Sequence, residues 1–273
     1  MGDKASESGH LMLITPERVF YAGLLGRPRE RCQGAFNIYV AVKGGLWLTT
    51  ADGGDSHGEL LAVMPNVRHT IASDHRQAIA VVFEPESVRP GTFEELAKRL
   101  SGPEAEIFAA RIRAAYLLLR ERQCDAEITS AEFDIMCLGE ALPRRALDPR
   151  VERAFVQIGR FSGEPVTAAS CAAEAGLSAS RFLHLFKEET GISFRSFRAW
   201  KRARHLLHFA NQDINLAHLA QDIGYPDSTH FSHSIRRFYG LKPRAIFSGS
   251  RDLAIYRSNR VGAADSGWTQ EAS

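Results

Sequence analysis

The sequence lacks an uninterrupted apolar run of the ~18 residues that a membrane-spanning helix needs. Its first ten residues, MGDKASESGH, lack the apolar core of a secretory signal. Cysteine is scarce as well, because Cys32, Cys124, Cys137 and Cys171 neither form a CxxC pair nor reach the density of a disulfide framework. These absences lead us to expect a reduced, cytoplasmic protein with no membrane segment.

Charge is distributed unevenly along the 273 residues, although the formal net charge is only +2. Residues 1–149 carry 17 basic and 21 acidic side chains, whereas residues 150–260 carry 17 basic and 9 acidic ones. The length suits about two domains. A near-neutral front half joined to a basic back half indicates that only the back half contacts a polyanion, and a solvated basic surface without a partner is the alternative.

Short runs rich in β-branched and aromatic residues fill the first third of the chain. Gly-Gly, Asp-Gly-Gly and Pro-Asn steps separate them, and no helical pattern intervenes. This spacing predicts a small β-barrel or sandwich. The clearest predicted strands are 36–42, 45–50, 59–64 and 78–84.

A helical pattern follows Pro90-Gly91, and its apolar stripe has two interpretations. Steps of three and four residues predict an amphipathic helix from 105 onward. The stripe either packs on the strands of its own chain or pairs across a dimer axis, and spacing alone leaves both open. A further helix is predicted over 130–142, and the prolines of 143–149 mark a linker. The stripe consists of Phe108, Ile112, Ala115, Tyr116 and Leu119.

The last hundred residues contain an internal duplication. Residues 171–197 read CAAEAGLSASRFLHLFKEETGISFRSF, and residues 219–247 read LAQDIGYPDSTHFSHSIRRFYGLKPRAIF. In each copy a short helix ends at a glycine and a longer helix starts at a capping residue, Ser178 or Asp227. The duplication predicts two helix-turn-helix units, with a connecting helix over 194–210.

The two longer helices present matching polar stripes, offset by 49 residues. Hydroxyl, imidazole and cationic side chains suit the base edges and phosphates of a major groove. The candidates for reading bases are Ser180, Leu183, His184, Thr229, Ser232 and His233. The candidates for holding phosphates are Lys187, Arg198, Arg202, Arg236 and Arg237.

Residues 150–247 resemble the double helix-turn-helix domain of the AraC/XylS family of bacterial transcription regulators. The resemblance rests on AAEAGLSASRFLHLFKEETG and on LAQDIG-YPDSTHFSHSIRRFYGLKPRAIF, and it covers a little over a third of the chain. It implies an α+β protein with an N-terminal cupin-like barrel, a helical dimerisation region and an all-α C-terminal domain. The corresponding boundaries are 1–90, 91–143 and 144–250, with a disordered tail over 251–273.

The resemblance also implies a function. Family members are sequence-specific regulators, more often activators, that bind double-stranded promoter DNA as homodimers, act with RNA polymerase and respond to a small-molecule effector. It implies no enzymatic activity, no cofactor and no metal. His184 and His233 replace a common arginine on the reading face, so we expect weaker or water-mediated base preference.

Arg27, Arg29 and Arg31 form a candidate effector site in front of the strand at 36. Their R-x-x-x-R spacing is similar to the motif with which PilZ domains hold cyclic di-GMP, and guanidinium groups suit phosphates. The companion motif of those domains is absent. The alternative is a solvated turn.

Two other classes of function compete with the regulator. A metal-dependent cupin enzyme fused to a DNA-binding domain needs three or four converging ligands, whereas His57, His69 and His75 stand singly. A protein-interaction adaptor would use the double motif without DNA. Cys171 is a poor nucleophile, since no base accompanies it on its apolar helix.

Overall fold

The structure is a computed structural model that describes residues 9–122, 127–159, 166–247 and 252–258. It has a mixed N-terminal part built from sheets and three helices, followed by a helical C-terminal part that ends in one strand. Within the described residues, no helix combines the length and the apolar character required to cross a membrane.

In the described part of the chain, nine strands form two sheets. The six-stranded sheet has the order β6-β3-β8-β2-β1-β9, and the three-stranded sheet has the order β5-β4-β7. All neighbouring strands are antiparallel except β1 and β9. The strands are β1 (Leu11–Ile14), β2 (Arg18–Leu24), β3 (Phe36–Ala41), β4 (Leu46–Thr50), β5 (Asp55–Gly58), β6 (Leu60–Val63), β7 (His69–Ser73), β8 (Gln77–Phe83) and β9 (Ala254–Arg257).

The predicted all-strand N-terminal region is present, but its strands do not form one closed barrel. The two sheets pack face to face instead, and the apolar residues between them include Tyr39, Leu48 and Ile71. Alternation along β4 explains this packing, since Leu46 and Leu48 point inward while Trp47 is exposed. The cupin-like closure implied by the resemblance is therefore not seen in the strand pairing of the described residues.

Three helices cover the outer face of the six-stranded sheet: α1 (Thr92–Leu100), α2 (Ala105–Arg122) and α3 (Ser130–Leu138). The apolar stripe of α2 lies in the core that these helices form with β1, β2, β3 and β8. Phe108, Ile112, Ala115 and Leu119 are buried there and Tyr116 is half-buried. Of the two interpretations of this stripe, packing on its own chain is the correct one.

The C-terminal part contains seven α-helices within the described ranges. They are α4 (Pro149–Gly159), α5 (Ala168–Glu174), α6 (Ala179–Thr190), α7 (Phe194–His205), α8 (Leu216–Asp222), α9 (Ser228–Tyr239) and α10 (Pro243–Phe247). The connecting helix predicted over 194–210 is α-helical only to His205 and continues as a 3₁₀ turn over Leu206–Phe209. The α-helical segment of 12 residues is ~18 Å long at ~1.5 Å per residue.

The tail is ordered where we predicted disorder from residue 251. Residues 254–257 form β9, which pairs in parallel with β1 and completes the edge of the N-terminal sheet. Its apolar residues explain the difference, because Leu253 and Ile255 are buried against Met12 and Ile14. The remainder of the predicted disordered tail, from residue 259, lies outside the described residues.

Candidate nucleic-acid interface

The first helix-turn-helix unit comprises α5 and α6. Gly176 takes a positive φ of 65° in the turn, a conformation that glycine adopts without strain. The Ser178 hydroxyl accepts a hydrogen bond from the Arg181 backbone N–H and caps α6. Phe182 and Phe186 on the inner face of α6 are buried with Phe194 and Phe197 of α7. The predicted turn, cap and packing face of this unit are therefore confirmed.

The second unit, α8 and α9, repeats this construction with one more residue in its turn. Gly224 has φ of 79°, and the Asp227 carboxylate accepts from the backbone N–H groups of Thr229 and His230. Phe231, Ile235 and Phe238 are buried. Each unit has its own apolar cluster, so the duplication in the sequence corresponds to two separately packed bodies.

Burial of the aromatic faces leaves the predicted base-reading stripes on the outside. On α6, Leu183 is 41% exposed although it is a large apolar residue. On α9, Ser232 is half-buried. The other four candidates, Ser180, His184, Thr229 and His233, are exposed. The structure thus leaves at least five of the six candidates open to a ligand on the surface.

The candidates for phosphate contact fall into two groups. Lys187, Arg236 and Arg237 are exposed. Arg198 and Arg202 are half-buried, with their guanidinium groups over the rings of Phe194 and Tyr225 at 5.6 and 5.8 Å. Burial lowers the pKa of both arginines, although an arginine stays charged.

Two basic residues that the sequence analysis passed over belong to the same surface. Lys242 and Arg244 are exposed and share a groove with Arg236 and with the N-terminal end of α8 at Asn215. A helix N-terminus and three cations favour an anion such as a phosphate group. The signal in the sequence was the pair of cations flanking Pro243 directly after α9.

The connecting helix α7 fixes the helical part onto the N-terminal sheet through a buried charged cluster. The fully buried carboxylate of Glu84 accepts from Trp200 Nε1 at 3.0 Å and from Lys201 Nζ at 2.6 Å, and Arg204 Nε lies 2.9 Å away. Burial acts to raise the pKa of Glu84, but the Lys201 and Arg204 charges hold it below its usual range. Burial raises the pKa of Glu86, which also contacts Lys201.

The three arginines of the candidate effector site differ in exposure to solvent. Arg27 and Arg29 are exposed, whereas Arg31 is buried and bridges to His69 through backbone hydrogen bonds. Arg31 lines a cavity of about 300 Å³ between the N-terminal sheet and the second helix-turn-helix unit, which we call the junction cavity. This division between exposed and buried arginines does not favour joint binding of one ligand by Arg27 and Arg31.

His57, His69 and His75, the candidate metal ligands, have different surroundings. His69 is buried, its Nδ1 lies 3.0 Å from the Val67 carbonyl oxygen, and its Nε2 lies 3.0 Å from the Tyr39 hydroxyl. The His57 ring lies against the Trp47 ring at a tilt of 40°, with the ring centroids 4.0 Å apart, and His75 is exposed. In the part of the chain that the structure describes, no group of three or more His, Cys, Asp or Glu side chains is placed to hold a metal. Burial raises the pKa of the Cys171 thiol.

Comparison with known proteins supports these assignments. Residues 171–248 match a family model described as a helix-turn-helix domain. The chain is 31% identical over 111 residues to the HTH-type transcriptional activator RhaS of Escherichia fergusonii. That match covers 40% of this chain, and the chain spans about two fifths (39%) of the length of this relative.

Solved structures show likeness of fold over most of the chain. ToxT from Vibrio cholerae O395 matches with a TM-score of 0.52 at 11% identity, over 85% of this chain and 98% of that one. A single-substitution variant of ToxT, from Vibrio cholerae strain SCE256 and in its apo form, matches with a TM-score of 0.50 at 10% identity, over 85% and 97%. At this identity the likeness concerns the fold alone, and it includes the N-terminal sheets as well as the helical part.

Proposed function

We propose that this chain, which belongs to the AraC/XylS family by its C-terminal helix-turn-helix domain, is a sequence-specific regulator of transcription. The observation that carries the proposal is the pair of capped helices, α6 and α9, whose aromatic faces are buried and whose equivalent polar faces are exposed. An α-helix with an exposed polar stripe fits the major groove of B-DNA.

In this proposal the side chains act in two ways. Ser180, His184, Thr229, Ser232 and His233 donate to or accept from base edges, and Leu183 contacts a thymine methyl group. Lys187, Arg236 and Arg237 neutralise phosphates, joined by Lys242 and Arg244. Arg198 and Arg202, stacked on aromatic rings, reach phosphates only at the edge of the contact.

The N-terminal part senses a small-molecule effector, and the regulator acts on RNA polymerase at bacterial promoters in the cytoplasm. Contacts between the two parts support effector control, because α7 is fixed to the sheet through Glu84 and the junction cavity lies between sheet and helices. A relative named as an activator supports activation as the sense of control.

A homodimer forms through the outer face of α2. The inner stripe of α2 is buried in the core of its own chain. On the outer face, Ile107 is 63% exposed, Leu117 is 55% exposed and Leu118 is 37% exposed. Ile107, Ala110, Ala114 and Leu117 follow steps of three, four and three residues, which is the spacing of a helix–helix seam. A second copy presenting the same face is self-complementary, as a twofold dimer requires.

The rival functions have less support. A metal-dependent cupin enzyme lacks a ligand cluster among the described residues. An adaptor that binds protein alone does not account for the exposed cations around α9.

Selection of bound duplexes from a random-sequence library tests the proposed function. We expect enrichment of a motif with two half-sites about one helical turn apart, ~34 Å, since each copy of the duplication reads one groove face. The control is a chain with Leu183→Glu and His233→Glu, which places carboxylates against bases and phosphates. If the wild-type protein retains duplexes but no sequence motif is enriched among them, sequence-specific binding is contradicted.

A further inference from the structure

The two N-terminal sheets have a shared open edge where the chain crosses from one sheet to the other. β5 is the last strand of the three-stranded sheet, and β6 is the last strand of the six-stranded sheet. Only Glu59 separates these two strands, so they form one bent edge over residues 55–63. No strand of the described residues pairs with the outer side of either strand.

The backbone groups along the outer side of β6 are unpaired. The Glu59 carbonyl oxygen accepts from the Ala41 N–H at 2.8 Å, so alternate residues from Glu59 onward hydrogen-bond inward to β3. The N–H and C=O groups of Leu60 and Ala62 therefore point outward. Within the described residues, none of these four groups hydrogen-bonds to another backbone group. A row of free donors and acceptors is a template for an added strand.

A groove of about 830 Å³ lies along this edge, and we call it the edge groove. Its opposite wall is the corner between α1 and α2, where Ala97, Ala105 and Ala109 line it. Leu60 and Ala62 turn their side chains towards the same helices, so this part of the groove is apolar. At ~30 Å³ per liquid water molecule, the groove holds about 28 non-hydrogen atoms, the content of about four residues of an extended chain.

The charge of the edge groove is negative. Glu59 and Glu106 line it, and no lysine or arginine of the described residues does. Glu59 pairs with Arg113 at 3.0 Å, whereas Glu106 is exposed and belongs to none of the ion pairs among the described residues. Asp55 places a further exposed carboxylate at the start of β5. Two copies of this edge would repel each other, and a cationic strand is attracted to it.

We propose that the edge groove binds an extended, cationic segment of a partner protein, which adds a strand to β6. The backbone of the segment hydrogen-bonds to Leu60 and Ala62, and its alternate apolar side chains pack on the alanines of α1 and α2. A lysine or arginine of the segment pairs with Glu106. In such contacts the main-chain hydrogen bonds supply affinity, and the pockets for alternate side chains supply specificity.

This docking site is separate from the proposed DNA-binding surface. The groove belongs to the N-terminal part of the chain, whereas α6 and α9 belong to the C-terminal part. The inference therefore goes beyond the proposed function and does not depend on it.

Selection of phage-displayed random dodecapeptides on the full chain tests the site. We expect enrichment of peptides in which apolar residues alternate with others and in which lysine and arginine outnumber acidic residues. The most enriched peptide is then synthesised, and its affinity is measured by fluorescence anisotropy.

Two variants and a matched control locate the bound peptide. Ala62→Pro removes an outward N–H that the ladder does not use, and it should weaken binding about tenfold. Glu106→Lys should weaken binding about three- to tenfold, because it turns an attractive charge into a repulsive one. Glu94→Lys makes the same change of charge at an exposed position of α1 outside the groove and should leave the affinity unchanged.

Hydrogen exchange of the wild-type chain reports the added strand directly. The amides of Leu60 and Ala62 should exchange more slowly when the peptide is bound, since they become donors to it. Circular dichroism establishes that each variant folds. Should Ala62→Pro not fold, Glu106→Lys and the exchange measurement still decide the site.

Several results would overturn the site: no enriched peptide, enrichment of acidic peptides, equal affinity of Glu106→Lys and wild type, or unchanged exchange at Leu60 and Ala62. Sedimentation velocity adds one more. If the wild-type chain loses mass on Ala62→Pro in the absence of peptide, the edge pairs with a second copy instead of a partner protein. Each of these results leaves the DNA-binding proposal standing, because α6 and α9 carry that proposal.

Discussion

Single side chains build the polar end of the junction cavity as a hydrogen-bonded series. The Arg31 guanidinium group lies beside the Tyr39 hydroxyl, which contacts His69, which in turn contacts the Val67 carbonyl oxygen. Since a carbonyl oxygen only accepts, His69 carries a proton on Nδ1, while the Tyr39 hydroxyl donates its single proton to Gln33 Oε1. Burial lowers the pKa of His69, so the ring is neutral in the folded protein at neutral pH.

Acid should destabilise the protein through this histidine. Burial lowers the pKa of His69 to about 4, against 6.5 for the free side chain. Above pH 6.5 the neutral His69 contributes its full share to the free energy of unfolding. As the pH falls from 6.5 towards 4, the histidine of the unfolded chain binds a proton before the buried one does. This difference removes ~3 kcal/mol of stability. Urea unfolding at a series of pH values measures this slope.

His69→Gln should reduce the slope of the free energy of unfolding against pH without abolishing it. The remainder comes from His205 and His208, since burial also lowers the pKa of each of them to about 4. An identical dependence of stability on pH in His69→Gln and wild type would contradict the lowering of the His69 pKa by burial.

Which side chains are buried could be predicted only in part. The aromatic faces of α6 and α9 and both caps followed from residue spacing, because they depend on contacts within a few turns. The different positions of Arg27, Arg29 and Arg31 could not be predicted, since they depend on a backbone pairing between residues 31 and 69 that is long-range in sequence.

Among the elements, α2 shows that a helix can be predicted correctly while the surface on which it packs cannot. The predicted stripe was identified correctly, but only the fold shows that it faces the sheet. The face left over carries the exposed Ile107 and Leu117. Sequence periodicity identifies an apolar face, while the surface that remains exposed depends on tertiary packing.

If the proposed homodimer forms through this face, a double variant, Ile107→Glu with Leu117→Glu, should be a monomer. Four carboxylates at a twofold helix–helix seam repel one another and cannot be buried. Sedimentation velocity over a range of concentrations measures the mass. Trp47→Glu, which replaces an exposed aromatic residue on the other sheet, serves as the control and should remain dimeric. A monomeric wild-type protein at all concentrations would contradict the assignment of this face.

Strand β9 attaches the end of the helical part to the six-stranded N-terminal sheet. The strand pairs with β1, and Ser258 directly after it adds further contacts. The Ser258 backbone N–H donates to the Ile14 carbonyl oxygen at 2.9 Å, and the Ser258 hydroxyl exchanges hydrogen bonds with the backbone of Ile128. The segment was predicted to be disordered because four strand residues after a polar stretch give a weak signal, and their stability comes from an edge formed at the opposite end of the chain.

Truncation after residue 251 should destabilise the protein by ~3–6 kcal/mol, the cost of exposing two apolar side chains and of losing the β1–β9 hydrogen bonds. Hydrogen exchange in Leu11–Ile14 should accelerate at the same time. Truncation after Ser258 removes only residues beyond the strand and is the matched control. Equal behaviour of the two truncated chains would show that β9 adds nothing.

At the scale of the whole molecule, the two parts form one unit through α7. Trp200, Lys201 and Arg204 all reach Glu84 at the end of β8, and a Cβ atom at Gly34 would lie 2.7 Å from the Trp200 ring. The order of domains could be predicted from the change in composition along the chain. Their mode of contact could not, because Glu84 and Lys201 are far apart in sequence and belong to different patterns.

Glu84→Gln should lower stability by ~3–5 kcal/mol, since it leaves the buried Arg204 without its carboxylate. A double-mutant cycle with Lys201→Met, followed by thermal unfolding, isolates the pair from the fold around it. We expect strong coupling between the two changes. Additive effects would indicate that the cluster is not a specific attachment between sheet and helix.

The most direct test of the central claim is the salt dependence of DNA affinity, measured by fluorescence anisotropy on the selected duplex. Affinity should fall steeply with salt, and Lys187→Ala on α6 and Arg236→Ala on α9 should each reduce the slope by ~1. Lys98→Ala, a change at the surface of α1 far from these helices in sequence, should leave the slope unchanged. If neither variant alters the slope, or if the wild-type affinity does not depend on salt, the two exposed helices are not the DNA-binding surface.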